Sequence, residues 1–416
     1  EYDLLDHLYP FLLIHLTLII LLISGILLSS RVREMVRDIF VINFGGKVKM
    51  KKYLFPLFLF FLMTCQNEPV QNPPDVSQNT AEEDQVVVEN GIETLMDCLE
   101  ALETGDFSNL LINLYDNVDD DTNDFHEIML EAIEDIPNYQ PLIDSEYPEE
   151  PFNIQNYFGT YTYNSQTQSW STSNSNSEMK MVFPLFTNST TNDTSITLSG
   201  VTEELMNIED PIYIPTSLTL DMSHNNQTMF AINVLNVEYS MSGEIPVPND
   251  IDFNIYMNPF THEFAVDKLA DDQFSLGYTL SNGSGCMTQF QGTVKLLSTD
   301  YENLEDTDID YISASVVTNS MRVDIDIDAE YLFAIDDPTV VQLNNFIDVE
   351  VFNNNTLLGE IEIQEDADEE YYLNMVFVDG TVVNVEEFSG IGTDGEVFIQ
   401  TLEGIFARFI DRLEDE

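Results

Sequence analysis

Val323-Asp-Ile-Asp-Ile-Asp-Ala-Glu330 alternates apolar and acidic residues without interruption. Successive side chains of a strand point to opposite faces. A period of two therefore places Val323, Ile325, Ile327 and Ala329 on a dry face and Asp324, Asp326, Asp328 and Glu330 on a wet one. The pattern recurs upstream. Ile251, Phe253, Ile255 and Met257 alternate with Asp252, Asn254, Tyr256 and Asn258, and Phe274, Leu276, Tyr278 and Leu280 with Gln273, Ser275, Gly277 and Thr279. One apolar and one polar face per strand predicts antiparallel sheet, because the strands of a parallel α/β core are apolar on both faces. Turn chemistry agrees. Asp379-Gly380 predicts a two-residue hairpin between 373–378 and 381–385, and asparagine-rich tips around Asn225 and Asn354 turn two others. About 14 to 16 strands of ordinary length fit between residues 151 and 395.

Outside that stretch the period is helical. Ile92, Leu95, Leu99 and Leu102 recur at three and four, with Gly105 as a C-cap, and Phe125, Ile128, Met129, Ala132 and Ile133 form a later stripe that stops before Pro137. Residues 396–416 carry Ile399, Leu402, Ile405, Phe406, Phe409 and Leu413 on one helical face. The predicted class is thus α+β, mainly β. It comprises a helical region at 86–150, a large antiparallel sheet at 151–395 (a sandwich, or an open curved sheet or half-barrel), and a C-terminal amphipathic helix.

Residues 50–65 read Met-Lys-Lys-Tyr-Leu-Phe-Pro-Leu-Phe-Leu-Phe-Phe-Leu-Met-Thr-Cys. Two lysines precede an apolar run too short to span a bilayer as a stable helix, the arrangement of an export signal. Its ending resembles bacterial lipoprotein signals, with Leu62 and Cys65 at the matching positions and Met63 and Thr64 bulkier than that family's usual residues. The resemblance implies cleavage before Cys65, acylation of that residue, and a stable anchor of several acyl chains. It makes 50–64 a signal peptide and, with three prolines and no apolar period, 65–85 a flexible tether. Gln66 after the cysteine implies sorting to the outer membrane. Residues 1–49 are read as upstream readthrough; if they are translated, 8–28 forms an additional membrane helix. The segment Phe158-Gly-Thr-Tyr-Thr-Tyr-Asn164, with Trp170 and Glu178-Met-Lys-Met-Val-Phe-Pro184, looks like the opening hairpin of a group of lipid-anchored β-rich envelope proteins. That likeness implies an architecture and no activity.

Seven of the 13 basic residues lie at or before Lys52, and only five of the 75 acids do. Residues from Cys65 onward therefore carry 70 acids against six bases, a net charge of −64. Such a surface repels nucleic acid and anionic headgroups and favours cations. Asp306, Asp308 and Asp310 are expected to share one strand face, as are Asp324, Asp326 and Asp328. Carboxylates two residues apart lie roughly 6.5–7 Å from each other, within reach of a shared Ca2+. The alternative is a solvated acidic face with no cofactor. Asp119, Asp121 and Asn123 have calcium-loop spacing, but Asp124 and Leu130 stand where that loop needs glycine and glutamate.

Cys98 falls on the apolar helical stripe, where a buried thiol is ordinary, while an oxidising envelope would permit a bridge to Cys286. Catalytic signatures are incomplete: His126-Glu127 has Leu130 at the second zinc-ligand position, and Gly283-Ser284-Gly285 falls in a hairpin loop rather than a strand–helix elbow. The composition leaves three functions open. They are a non-enzymatic binding or structural lipoprotein with a protein or small-molecule partner, a carrier of an apolar ligand within a curved sheet, and a carboxylate-dependent hydrolase.

Overall fold

A computed structural model describes residues 75–110, Ile128, Ala132 and 154–388, with short breaks at 187–188, 207–211, 243–244, 302–303, 305, 336–337, 366–370 and 386–387. Among the described residues 59% are in strands and 18% in helices, and 17 strands form one mixed sheet that is not closed. Two compact units divide the described residues: those within 104–263 belong to unit 1, and those within 75–103 and 264–388 to unit 2. The stretch read as a single β domain is thus shared between them, the boundary falling inside one strand.

The chain enters unit 2 through β1 (Asp75–Val76) and α1 (Ala81–Glu103). The helix starts five residues before the helical region expected from 86, and β1 falls within the expected tether. A capping box explains the early start: the Glu83 amide donates to Thr80 Oγ1 at 3.4 Å and the Thr80 amide to Glu83 Oε2 at 3.1 Å.

Unit 1 contains β2 (Gly159–Asn164), β3 (Ser169–Ser173), β4 (Glu178–Phe183), β5 (Thr194–Met206), β6 (Ile212–His224), β7 (Gln227–Ser242), β8 (Ile245–Met257) and the start of β9 (Phe260–Ala270). From β4 to β8 each strand pairs antiparallel with the next. β2 pairs antiparallel with β3 but parallel with β4, because the chain crosses from one edge of β2 to the other after the first hairpin. The predicted alternation holds: Ile251, Phe253 and Ile255 are buried, while Asn254 on the other face receives a 2.8 Å hydrogen bond from Asn233. Asn225 and Asn226 both take positive φ, as a two-residue hairpin of type I′ requires. The core gathers Tyr161, Tyr163, Trp170, Met181 and Phe183 around Ile128 and Ala132, and the Trp170 indole donates to the Ile128 carbonyl at 3.1 Å. Burial of a side chain such as Phe183 stabilises by about 1.5–3 kcal/mol.

Unit 2 continues β9 and adds β10 (Gln273–Ser281), β11 (Met287–Leu296), β12 (Ile309–Thr318), β13 (Met321–Asp328), α2 (Ala329–Phe333), α3 (Val340–Phe346), β14 (Ile347–Asn353), β15 (Thr356–Glu365), β16 (Tyr371–Phe377) and β17 (Val382–Asn384). β10 to β17 form an antiparallel meander. β1 adds a second parallel pairing, beside β15. The large antiparallel sheet expected from the alternation is observed, with these two pairings as parallel exceptions. α1 lays Ala81 and Val88 on Met321, Val351, Leu358, Met375, Phe377 and Phe388. Ala329 and Leu343, from α2 and α3, pack with Ile325, Ile327 and Ile347 on the same apolar face.

Two turns depart in detail from the sequence reading. The hairpin at Asp379-Gly380 has three loop residues, because the Val378 amide donates to the Leu358 carbonyl instead of joining the ladder. Gly380 takes φ of 85°, as the bulge in such a loop demands. β13 ends at Asp328 rather than Glu330, since Ala329 is drawn into the core as the first residue of α2. The C-terminal helix expected at 396–416 lies outside the described residues, as do residues 1–74, including Cys65, and the 119–123 acidic loop.

Candidate functional site

The acidic period of β13 becomes a surface through its neighbours. Asp324 stands between Ser315 of β12 and Glu350 of β14, and Asp326 between Ser313 and Asp348. Glu350 in turn faces Glu360 of β15. Arg322 is the cation of this face: its Nε lies 3.1 Å from Asp324 Oδ2, and its guanidinium sits 4.2 Å over the Phe352 ring. Burial raises the pKa of Asp324, the Ser315 hydroxyl and Arg322 oppose that rise, and Asp326 adds to it. Glu350 is also raised, first by burial and then by Asp348, Asp324, Glu360 and Asp326. Burial, more than any neighbouring charge, is what raises both carboxylates.

At the α2 end of this face the sheet opens into a recess of about 420 Å3. Asp310 and Tyr311 come from the start of β12, Asp326 and Asp328 from the end of β13, and Glu330 and Tyr331 from α2. Phe346 and Asp348 close it from the junction of α3 with β14. A second capping box, Thr339 with Gln342, fixes the start of α3. The Asn344 amide group ties that helix to the β15 backbone at Ile363 through two hydrogen bonds of 2.8 Å. So held, Phe346 stacks on Tyr331 with ring centroids 5.9 Å apart and planes 13° from parallel.

One wall of the recess already binds a cation. Lys295 Nζ donates to Asp310 Oδ2 at 2.5 Å and lies 5.7 Å from the centre of the Tyr311 ring. Asp310, with the covalent stem of Lys295 fixed on β11, shows how a carboxylate and an aromatic face share one ammonium here. Among the described residues, Asp326, Asp328, Glu330 and Asp348 form no ion pair.

Of the predicted cation ligands, Asp324, Asp326 and Asp328 do share a strand face. Asp306 and Asp308 do not share one with Asp310: they lie in a 3-10 turn at Asp306–Asp308, and Asp310 alone is on β12. Alternation in Asp306-Thr-Asp-Ile-Asp310 cannot distinguish a strand from the turn leading into it. Among the described residues no group of three or more His, Cys, Asp or Glu is arranged to hold a metal ion. Cys98 and Cys286 are joined as a disulfide with their Cα atoms 5.3 Å apart, which ties α1 to the loop between β10 and β11.

A polar chain that the sequence reading missed crosses the start of β5 in unit 1. Thr194 Oγ1 lies 2.9 Å from His224 Nδ1 and 3.2 Å from Asp193 Oδ1, and His224 Nε2 is 2.9 Å from Asn225 Nδ2. Only the pairing register of Thr194 with His224 brings these residues together, and no spacing in the sequence announces it. Asp193 Oδ1 also accepts from the Leu185 amide, and Thr194 is only 2% exposed. A hydroxyl so enclosed satisfies a buried hydrogen-bond network and offers no accessible nucleophile.

Among the described residues no helix is long and apolar enough to cross a membrane. No protein-family profile, no curated protein and no solved structure matches the chain.

Proposed function

We propose that the protein is a lipid-anchored component of the cell envelope, tethered through Cys65, that works by binding and not by catalysis, and that the recess between β13, α2 and α3 takes a cationic group of its partner. The observation that carries the binding reading is the Lys295 ammonium held between Asp310 and the Tyr311 ring. Beside it, four further carboxylates surround the stacked pair Tyr331 and Phe346. Carboxylates supply long-range attraction, and aromatic faces favour a weakly hydrated organic cation over a compact metal ion. The Cys98–Cys286 bridge supports the envelope location, because disulfides persist in oxidising compartments and are rare in the cytosol.

The test is titration of the purified protein with tetramethylammonium and with a short lysine peptide in 0.15 M salt. Tyr331 is 56% exposed, so a cation held on it gains about 0.5–1 kcal/mol from the ring, and Tyr331→Ala should weaken binding roughly two- to fivefold. Asp326→Asn and Asp348→Asn should each weaken it as well, whereas Glu93→Gln, on the exposed side of α1, should not. Equal losses from the three carboxylate substitutions, with none from Tyr331→Ala, would reduce the effect to overall charge and defeat the assignment of the recess.

A further inference from the structure

Asn-Gly occurs twice in the chain, at Asn90-Gly91 and Asn282-Gly283. A glycine after asparagine leaves the intervening peptide nitrogen open to the side-chain amide carbon, because no Cβ shields it. The fold treats the two sites oppositely. Asn90 is exposed, but Gly91 is an interior residue of α1 and its amide is held in the helical hydrogen-bond pattern. Asn282-Gly283 instead opens the loop between β10 and β11, in which Gly283, Ser284 and Gly285 are exposed. Among the described residues the Gly283 amide donates no hydrogen bond, and no atom crowds the place where its Cβ would stand.

Asn282 is held through one side-chain atom. Its Oδ1 accepts from the Ser284 amide at 3.0 Å, the Ser284 hydroxyl at 3.1 Å and the Cys286 amide at 3.1 Å. The Asn282 amide donates to the Cys286 carbonyl at 3.2 Å and closes the loop. Among the described residues nothing accepts from Asn282 Nδ2. Three donors on one carbonyl oxygen draw charge from Cγ and stabilise the oxyanion that forms when a nucleophile adds there. The loop also asks residue 282 only for an acceptor, which a carboxylate supplies more strongly than an amide.

We propose that Asn282 is a self-modification site, converted to aspartate by its own loop. The Gly283 nitrogen adds to Asn282 Cγ and gives up its proton. The N–Cγ bond forms, the Cγ–Nδ2 bond breaks, and Nδ2 leaves as ammonia with that proton. Residues 282 and 283 are then joined in a cyclic imide, which water opens at one of two carbonyls. Attack at Cγ breaks the new bond and leaves aspartate in an unaltered main chain. Attack at the main-chain carbonyl leaves isoaspartate, with the chain rerouted through the side chain. The donors on Oδ1 favour attack at Cγ. Water is the only co-reactant, and the site depends on neither the lipid anchor nor the acidic recess.

The experiment incubates the full-length protein in detergent in mildly alkaline buffer and maps its peptides by mass spectrometry, with aspartate and isoaspartate forms separated by chromatography. A urea-unfolded sample is the reference. In the folded protein Asn282 should lose its amide at least about tenfold faster than Asn90, whose neighbouring amide reacts only when the helix opens. The aspartate share at 282 should be higher in the folded than in the unfolded sample. Ser284→Ala removes one donor and should slow the reaction roughly two- to tenfold. Asn282→Asp should melt no lower than the wild type, since its carboxylate meets the same three donors. Retention of the amide at Asn282 as complete as at Asn90 would overturn the proposal, as would a gap between the two sites that persists in urea. An isoaspartate share equal to that of the unfolded chain, an unaltered rate in Ser284→Ala, or a lower melting temperature in Asn282→Asp would each overturn it as well.

Discussion

Gly91→Ala should destabilise unit 2, although alanine is the better helix former. A Cβ at position 91 would lie 2.5 Å from Met321 Sδ, 2.7 Å from Met321 Cβ and 3.0 Å from Met321 Cε. Carbon atoms pack best at about 3.5–4.0 Å, so all three approaches are repulsive. The thioether can rotate away, but Met321 Cβ is fixed by β13, which is paired on both sides by β12 and β14. α1 must therefore lift by about 1 Å, loosening Ala81 and Val88 from the core beneath. Overpacking of this kind costs about 1–3 kcal/mol. The alanine propensity offsets about 1 kcal/mol of it. Taking the upper half of that range, because one of the clashing atoms cannot move, leaves a net loss of about 1–2 kcal/mol. That corresponds to a fall of roughly 2–8 °C in the melting temperature of a unit this size. The assay is far-UV circular dichroism during thermal and urea unfolding, with fluorescence of Trp170, the sole tryptophan, as a reporter of unit 1. The Trp170 transition should stay in place. In a double-mutant cycle, Gly91→Ala with Met321→Ala should destabilise less than the sum of the single changes. A gain of about 1 kcal/mol from Gly91→Ala alone would show that α1 does not approach β13 closely, refuting the packing of the first chain segment on the sheet.

Two predictions concern charge. Burial pushes His262 down to about 4, so between pH 6.5 and about 4 the unfolded chain binds a proton that the folded state refuses. Stability followed through Trp170 should therefore fall with acidification over that window, by at most about 3 kcal/mol, and His262→Gln should flatten the fall; an identical profile in the variant would remove His262 from the account. Asp324 and Glu350 have raised pKa values, so they oppose folding of unit 2 above those values and are relieved as pH drops through them, the opposite sign to His262. Sodium chloride should raise the melting temperature by screening the acidic face, and calcium chloride of equal ionic strength should do no more. A calcium-specific rise abolished by Asp324→Asn with Asp326→Asn would instead make β13 a metal site.

Strand existence and facing were legible because the β13 period is so strict: Ile325 and Ile327 are buried and Asp326 and Asp328 exposed, as alternation requires. The Asn225 and Asn354 turns were legible for a similar reason, since few residues tolerate positive φ. Pairing partners were not. Nothing local tells β1 to lie beside β15, or Thr194 to meet His224, because such contacts are decided by packing between distant segments. The recess was half legible. Its acids stand out in the sequence, but Tyr331 and Phe346 meet only because β13 stops at Asp328 and two short helices return the chain to β14. The disulfide was open between a bridge and two separate thiols, since spacing across 188 residues carries no geometry.

Metabolic labelling of the full-length protein with a radiolabelled fatty acid, in wild type and in Cys65→Ala, tests the proposed anchorage most directly. The account predicts a labelled wild type in the membrane fraction and an unlabelled Cys65→Ala protein released from it. An exported wild type that carries no label, or a Cys65→Ala protein labelled to the same extent, would contradict it.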